Sequence, residues 1–320
     1  MFDQDTMPFM RAIALLLFCV TTAPLGAADI RLGIIGTDTS HVTVFSKAFN
    51  DSVAPGHIPG AKVVAAFKGG SPDIESSISR VEGYAKELVD KYQVEIVTKI
   101  SQLCGKVDGI LLESVDGRKH LAQFQEAVKC GKPVFIDKPL AATYEDAKEI
   151  ARIAKAANVP WFSASSLRWA EILQALKSPN NKTVVVWGPG PLESTHKLDL
   201  AWYAIHPVEM LFTVMGPGCE EVTRTVSTND VVTCRWKDGR LGTVNVLRPY
   251  GDYGGIAFRE KDMVATPKYK HAYGPMLSQL VTFFQTGVPP VPNVETMEIF
   301  AFMDAAQRSK ENGGKPTAVR

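Results

Sequence analysis

The stretch that decides the fold runs from Ile30 to His41 and reads IRLGIIGTDTSH. A largely apolar run of the kind found in buried strands leads into a glycine turn, and a polar segment typical of a helix start follows. The first backbone N–H groups of a helix attract phosphate, because they have no partner within the helix. This stretch therefore predicts a strand, turn and helix that together form a candidate nucleotide site.

The sequence after this unit keeps alternating between strand and helix patterns. We predict further strands over residues 62–67, 94–97, 109–112, 134–136 and 161–164. The clearest helix lies between them, over Ile78–Tyr92, where apolar residues recur every three or four positions. Short connections between alternating strands and helices indicate a parallel, doubly wound sheet, and ligands in such sheets lie beyond the carboxyl ends of the strands.

The second half of the chain has a different pattern. Predicted strands separated by turn signals cover residues 183–187, 222–226, 231–235, 243–247 and 263–265. Predicted helices cover residues 168–177, 273–285 and 294–312. We therefore expect an α/β protein with a Rossmann-like domain at 29–164 and a second α/β domain with a largely antiparallel open sheet at 165–320.

The amino-terminal segment has the layout of a signal peptide. Arg11 precedes an apolar run over residues 12–20, and small residues follow at 26–28. Translation from Met7 or Met10 would remove two acidic residues that do not suit such a signal. The run is too short to span a bilayer, which needs about 20 apolar residues. We expect residues 1–28 to be a Sec-type signal and the protein to be periplasmic or secreted; the alternative is a buried amino-terminal helix.

Composition and spacing exclude several classes of function. The 320 residues carry 35 Lys and Arg against 34 Asp and Glu, which leaves a formal charge of +1 and no attraction for nucleic acid. The six histidines and five cysteines show no metal-binding spacing, so we expect no metal site. Four cysteines remain after the signal is removed, in an oxidising compartment, and the sequence does not assign their pairing.

The glycine turn departs from the dinucleotide fingerprint G-x-G-x-x-G. Gly36 is present, but Asp38 and His41 replace the second and third glycines. Asp38 can cap the helix, and as a cap it would take donors that a diphosphate needs; whether it hinders or accommodates a nucleotide stays open. Lys68 and Ser71 follow the second strand, where NAD-specific folds carry an acid. They favour the 2′-phosphate of NADP, unless Lys68 is only a solvated loop residue.

Residues 131–141 read GKPVFIDKPLA, which resembles the signature of the glucose-fructose oxidoreductase, inositol dehydrogenase and MocA family. Lys138 and Pro139 match that signature, and Asp137 replaces the usual Glu. Three other segments resemble the family: His120 on the helix after the fourth strand, SSLRW at 165–169, and IHPVE at 205–209. The similarity extends over roughly residues 30–315.

The resemblance implies an NAD- or NADP-dependent exchange of hydride with a carbinol group of a sugar or polyol. It also implies that Lys138 faces the substrate hydroxyl and that His206 is the general acid or base. Both roles suit the reaction, because the hydroxyl must lose its proton and the developing alkoxide needs a cation. The alternatives are a surface lysine and a structural histidine at a helix start.

One position departs from the family in the predicted catalytic segment. The family carries an Asp four residues before the histidine, where this chain has Trp202. Tyr203 or Asp199 is the expected substitute, and Trp202 is suited to stacking on a sugar ring.

The candidate site comprises three groups of residues. The catalytic candidates are Lys138, His206, Tyr203 and Asp199. The cofactor-binding candidates are Gly33, Gly36, Thr37, Asp38, Thr39, Ser40, His41, Lys68, Ser71, Glu113, His120, Asp137, Lys138 and Pro139. The substrate-binding candidates are Arg168, Trp169, Trp202 and His206.

These residues are compatible with three alternative functions. The first is an exported oxidoreductase that acts on a sugar or polyol. The second is an exported carbohydrate-binding protein without redox chemistry, which the replacements at 38, 41 and 202 favour. The third is redox-neutral cleavage of a glycoside with a retained nicotinamide. By analogy with the family, whose open sheets pair, we also expect a homo-oligomer.

Overall fold

The computed structural model describes residues 28–320. The predicted signal peptide lies outside the described residues, apart from its last residue, and so do Met7 and Met10. All of the structure below concerns the described part of the chain.

The amino-terminal half forms a six-stranded parallel sheet. Its strands are β1 (Ile30–Ile35), β2 (Ala61–Phe67), β3 (Glu95–Val97), β4 (Gly109–Leu112), β5 (Val134–Asp137) and β6 (Trp161–Ala164), in the order β3-β2-β1-β4-β5-β6. Strands β4, β5 and β6 are buried along their whole length and largely apolar, as expected for a sheet covered on both faces. The predicted doubly wound architecture is confirmed, and the strand order reverses between β1 and β4, where ligands bind in such folds.

Helices connect these strands, and one of them differs from the sequence prediction. The connecting helices are α1 (Ser40–Asn50), α2 (Glu75–Ile78), α3 (Val81–Tyr92), α4 (Gly117–Ala127) and α5 (Tyr144–Ala157). The predicted helix over 78–92 is wrong at its start, because Ile78 belongs to α2 and a turn at residues 79–80 separates it from α3. Ile78 is therefore largely exposed rather than on the buried face of the longer helix.

The carboxyl-terminal half forms a second, mixed sheet. Its strands are β7 (Asn181–Pro189), β8 (Cys219–Val226), β9 (Asp230–Trp236), β10 (Leu241–Leu247), β11 (Gly254–Arg259), β12 (Met263–Ala265) and β13 (Thr317–Ala318), in the order β12-β11-β7-β10-β9-β8-β13. Only β7 and β10 pair in parallel within this sheet. The prediction of a largely antiparallel second sheet is confirmed.

Five helices accompany the second sheet. They are α6 (Glu171–Gln174), α7 (Asp199–Trp202), α8 (Ile205–Met215), α9 (Gly274–Thr286) and α10 (Asn293–Glu311). The predicted helix over 168–177 is wrong: a 3-10 turn at Ser166–Trp169 and the short α6 flank an extended Ala170. Helix α9 returns to the first sheet, where Leu277 and Leu280 are buried with Leu32 and Ile34.

Both pairs of cysteines in the described part of the chain are joined. Cys104 bonds to Cys130, which links the segment after β3 to the end of the segment that follows α4. Cys219 bonds to Cys234 and links β8 to β9. Within residues 28–320 no helix is both long and apolar enough to cross a bilayer.

Candidate active site

A cavity of about 640 Å³ lies at the carboxyl ends of β1 and β5. One wall comes from the amino end of α1 and from the segment after β5, and the other from α7, α8 and the residues around β11 and β12. We call this cavity the cleft. It is lined by Thr39, Ser40, His41, Ser76, Arg80, Val115, Lys138, Trp202, Tyr203, His206, Tyr250, Asp252, Tyr253, Tyr269, His271 and Tyr273, among others. A larger groove of about 840 Å³ between α5 and α10 contains none of the predicted site residues.

Lys138 reaches the cleft because it directly follows β5. Its ammonium nitrogen Nζ lies 5.8 Å from the centre of the Tyr203 ring, which belongs to the opposite wall. The structure therefore brings together two of the predicted catalytic residues, Lys138 and Tyr203.

His206 lies in the first turn of α8, where it is half-buried and lines the opposite wall of the cleft. Its Nδ1 forms a 2.7 Å hydrogen bond with Ser165 Oγ, and the rings of Tyr203 and Tyr253 meet it edge-on. Burial lowers the pKa of His206 well below 6.5, and the charge of Lys138 adds to this effect. The imidazole is thus neutral near neutral pH and able to accept a proton.

His41 and Asp137 form a buried pair at the floor of the cleft. His41 Nδ1 lies 2.7 Å from Asp137 Oδ2, and the imidazole stacks on Phe45. Burial by itself raises the pKa of Asp137, but the charge and hydrogen bond of His41 and the charge of Lys138 bring it below its usual value. A histidine at the third position of the fingerprint is therefore accommodated by the aspartate that replaces the family's Glu.

Asp38 does not cap α1, so the sequence interpretation of Asp38 as a helix cap is wrong. Thr39 is the cap, and its side chain accepts from the N–H of His41. Asp38 is fully buried and faces away from the helix amides: Oδ1 accepts from the N–H of Val115 at 3.1 Å, and Oδ2 accepts from Ser77 Oγ at 2.6 Å. Burial raises the pKa of Asp38, against the effect of these hydrogen bonds.

The two residues predicted to hold a 2′-phosphate are engaged within the chain. Lys68 Nζ pairs with both carboxylate oxygens of Glu82, at 2.7 and 3.0 Å. Ser71 Oγ donates to Asp116 Oδ2 at 2.5 Å and is fully buried. Neither side chain lines the cleft.

The other cofactor-binding candidates support the cleft from below. His120 is buried between the carbonyl oxygens of Ser114 and Leu140, which ties the segment after β4 to the segment after β5. Thr37 and Gly36 form the turn itself, while Gly33 faces Leu103 and Val107 inside the sheet and not the cleft. Pro139 follows Lys138 through a cis peptide bond.

Glu113 directly follows β4 and is fully buried. Both of its oxygens lack a hydrogen-bond partner within the described residues. Burial raises the pKa of Glu113 well above 4.5, and the carboxylates of Asp137 and Asp38 add to the rise. Glu113 therefore keeps its proton to a higher pH than an exposed glutamic acid does.

Among the catalytic and substrate-binding candidates, three residues do not line the cleft. Asp199 lies away from the cleft, and its oxygens accept from Arg224 and Lys310 in a separate network. Arg168 is buried in ion pairs with Glu209 and Glu295, so it does not reach a substrate in the cleft. Trp169 packs against the core of the first sheet. These three assignments are corrected by the structure.

Sequence reasoning missed the aromatic wall of the cleft. Tyr250, Tyr253, Tyr269 and Tyr273 line it together with His271. The sequence did contain a signal for this wall, because four of the chain's eight tyrosines are clustered between residues 250 and 273. Trp202, which was predicted, completes this wall and contacts His196.

Comparisons with known proteins agree with this architecture. Residues 30–165 match the Gfo/Idh/MocA sequence model, described as an oxidoreductase family with an NAD-binding Rossmann fold. No curated protein matches the chain.

Solved structures share the fold over both domains. A probable dehydrogenase from Thermotoga maritima superimposes with a TM-score of 0.73 at 19% identity, covering 91% of this chain and 99% of that one. A myo-inositol dehydrogenase from Corynebacterium glutamicum gives 0.72 at 16%, covering 92% and 99%. The myo-inositol dehydrogenase from Lactobacillus casei, in complex with NAD(H) and myo-inositol, gives 0.71 at 16%, covering 92% and 97%. Residues 30–165 of this chain are therefore similar in sequence to the Gfo/Idh/MocA oxidoreductases, and the fold of both domains is shared with these solved structures.

Proposed function

We propose that this protein is an oxidoreductase that transfers hydride between NAD or NADP and a carbinol group of a sugar or polyol. One observation carries the proposal: Lys138 and His206, from different domains, line one cleft that also contains the amino end of α1. The structural neighbour in complex with NAD(H) and myo-inositol supports the choice of cofactor and substrate class.

The residues of the cleft fit part of a dinucleotide. Thr39 and Ser40 line the cleft at the first turn of α1, where backbone N–H groups suit a diphosphate. Lys138 and the His41–Asp137 pair lie beside them and would hold the nicotinamide half. When bound, the nicotinamide accepts or donates the hydride. The adenosine half does not have such an open surface, because residues 69–80 lie over the end of β2.

The two catalytic candidates have complementary roles. The Lys138 ammonium donates a hydrogen bond to the carbinol oxygen and stabilises negative charge that develops there. His206 is neutral, since burial and the charge of Lys138 hold its pKa low. In this neutral form the imidazole takes the hydroxyl proton. Ser165 fixes the orientation of the imidazole through Nδ1.

The opposite wall of the cleft suits a sugar or polyol. Trp202, Tyr203, Tyr250 and Tyr253 offer apolar ring faces and polar edges within one cavity. Such a wall can cover the C–H face of a ring while the tyrosine hydroxyls meet its hydroxyl groups.

A second candidate is an exported carbohydrate-binding protein that lacks redox chemistry. One observation favours it: His206 has a hydroxyl partner, Ser165, and not a carboxylate, because position 202 is Trp and Asp199 lies elsewhere. A binding protein would use the same aromatic wall and would need no nucleotide.

Turnover of the Lys138→Ala variant separates the two candidates. With NAD or NADP and a panel of polyols, we expect Lys138→Ala to lower kcat by about 10²–10³-fold with little change in nucleotide affinity. Lys148→Ala, an exposed lysine on α5, is the control and should keep wild-type turnover. Polyol binding without any reduction of nucleotide in the wild type would favour the binding protein.

We also propose that the protein is exported to the periplasm or secreted. The two disulfides support this, because such bonds persist in oxidising compartments and are rare in the cytosol. Fractionation of the native host with a thiol count tests it: four reactive thiols in mature, cytosolic protein would contradict export.

A homo-oligomer formed through the second sheet remains a proposal by analogy. Several apolar side chains on its strands are exposed, among them Phe258 and Met263. Light scattering of the purified chain tests this, and a monomer at all concentrations would contradict it.

A further inference from the structure

Residues 69–80 form a segment that we call the lid segment. It leaves β2 through Gly69 and Gly70, whose φ angles of 65° and 105° suit glycine, and it includes α2 before ending at Arg80. Dinucleotide-binding folds place the adenosine ribose beside the carboxyl end of this strand. The lid segment thus lies where the adenosine half of a cofactor would bind.

Two sets of hydrogen bonds to buried carboxyl groups, which we call fastenings, hold the lid segment in place. The first involves the carboxyl group of Asp38. Ser77 Oγ donates to it at 2.6 Å and itself accepts from the N–H of Ser71 at 2.8 Å. Ser71, Ser77 and Asp38 are all fully buried by the chain's own residues. In the dinucleotide fingerprint, position 38 is a glycine so that the diphosphate can approach the backbone. Here a carboxyl group that holds the lid segment fills that space.

The second fastening is the carboxylate of Asp116, at the start of α4. Ser71 Oγ donates to Asp116 Oδ2 at 2.5 Å, and the guanidinium of Arg118 bridges Asp116 to Asp73 of the lid segment, with 2.8 Å contacts to each. Asp116 is fully buried. Two independent carboxyl groups therefore hold the lid segment against the turns after β1 and β4.

The turns after β1, β2 and β4 lie close together beneath the lid segment. A Cβ atom on Gly36 would lie 2.5 Å from the backbone nitrogen of Ser114, and one on Gly69 would lie 3.2 Å from the Cα of Gly36. The turns after β1, β2 and β4 are thus in direct contact.

We propose that the lid segment closes the adenosine half of the nucleotide site, and that a dinucleotide binds only when the Ser77–Asp38 and Ser71–Asp116 hydrogen bonds open. This inference rests on the proposed function. A site that is mostly closed binds with an affinity reduced by the open fraction, so weakening a fastening should tighten binding.

The test is a calorimetric titration of NAD and NADP into wild type, Ser77→Ala and Ser79→Ala. Ser79 belongs to the same segment but bonds only to the carbonyl of Glu75, so it is the matched control. We expect Ser77→Ala to bind about tenfold more tightly than wild type, since it loses a hydrogen bond to a carboxyl group, and Ser79→Ala to bind like wild type.

Hydrogen exchange of the wild type, with and without nucleotide, provides a second readout that needs no variant. Amides of residues 69–80 should exchange faster when NAD or NADP is bound. Two results would contradict the proposed role of the lid segment: equal nucleotide affinity in all three proteins, or slower exchange of its amides when nucleotide is bound. Either result would leave the proposed function intact. Failure of both nucleotides to bind wild type and Ser77→Ala overturns the proposed function and the lid together.

Discussion

At the scale of single residues, Glu113 carries a free-energy cost that depends on pH. Burial raises the pKa of this carboxyl group well above 4.5, so the folded chain keeps the proton to a higher pH than the unfolded chain does. As pH rises from 4.5 towards the pKa of Glu113 in the folded chain, Glu113 loses its proton in the unfolded chain first. The free energy of unfolding therefore decreases over this pH range. The sign is thus opposite to that of a carboxylate in a salt bridge.

Replacing Glu113 by methionine should stabilise the protein at pH 8. Methionine has a similar length and no polar atoms that need partners, so we expect a gain of about 1–3 kcal/mol in the free energy of unfolding. The gain should shrink towards pH 5. Urea unfolding at both pH values measures it, with Glu126→Met on the exposed face of α4 as the control. An equal or larger gain at pH 5 would contradict the assignment.

The base form of His206 should persist below its usual titration range. Because burial lowers its pKa well below 6.5, the unprotonated form needed to accept a proton remains as pH falls through 6.5. We expect the acid limb of kcat/KM to lie below pH 6.5, and His206→Gln to lower turnover by about 10²–10⁴-fold. An acid limb at 6.5 or higher that disappears in His206→Gln would contradict this environment.

Single residues of the site were predictable where a local motif carried them. Lys138 and His206 lie in short segments that resemble the family, and the structure brings both to the cleft. Arg168 lies in such a segment too, but its partners Glu209 and Glu295 come from α8 and α10. Sequence spacing gives no information on contacts over 41 and 127 positions, so its structural role was hidden.

At the scale of elements, ion pairs between separate helices help to hold these helices in position around the cleft. Arg168, in the turn after β6, bridges Glu209 of α8 and Glu295 of α10. Burial raises the pKa of Glu209 to about 7, even though the charge of Arg168 opposes the rise. The position of α8, and with it that of His206, depends on this bridge.

Replacing Arg168 by methionine should destabilise the protein strongly. The buried Glu209 and the half-buried Glu295 would lose their cation, and breaking a buried ion pair in this way costs about 3–5 kcal/mol. Urea unfolding at pH 8 measures the loss, and Arg152→Met, which breaks an exposed pair with Glu149, should change stability by less than about 1 kcal/mol. A loss in Arg168→Met no greater than in the control would show that the bridge does not hold α8 in place.

Elements with a clear period or a full apolar run were predictable, and those shaped by tertiary contacts were not. The six parallel strands are short apolar runs and were found close to their observed bounds. Strand β11 was not predicted, because it begins with Gly254 and Gly255, which suggest a turn. A tertiary contact accounts for Gly254, since a Cβ there would lie 2.4 Å from the Trp187 ring. Helix α8 was missed because it is buried on nearly all sides and so lacks an amphipathic face.

At the scale of the whole molecule, the two sheets divide the chemistry between them. The first contributes Lys138, the His41–Asp137 pair and the amino end of α1, while the residues that follow β7 contribute His206 and the aromatic wall. Residues 30–165 match the family model, whereas the turn after β1 departs from the dinucleotide fingerprint at two positions, Asp38 and His41. The overall account therefore depends on whether this cleft still accepts a nucleotide.

The most direct measurement is an equilibrium titration of the purified mature protein and its Ser77→Ala variant with NAD, NADP and their reduced forms. The account predicts that at least one of these nucleotides binds with a dissociation constant below about 1 mM, and that it binds more tightly to Ser77→Ala. If no nucleotide binds to either protein at several times that concentration, hydride transfer in this cleft is excluded.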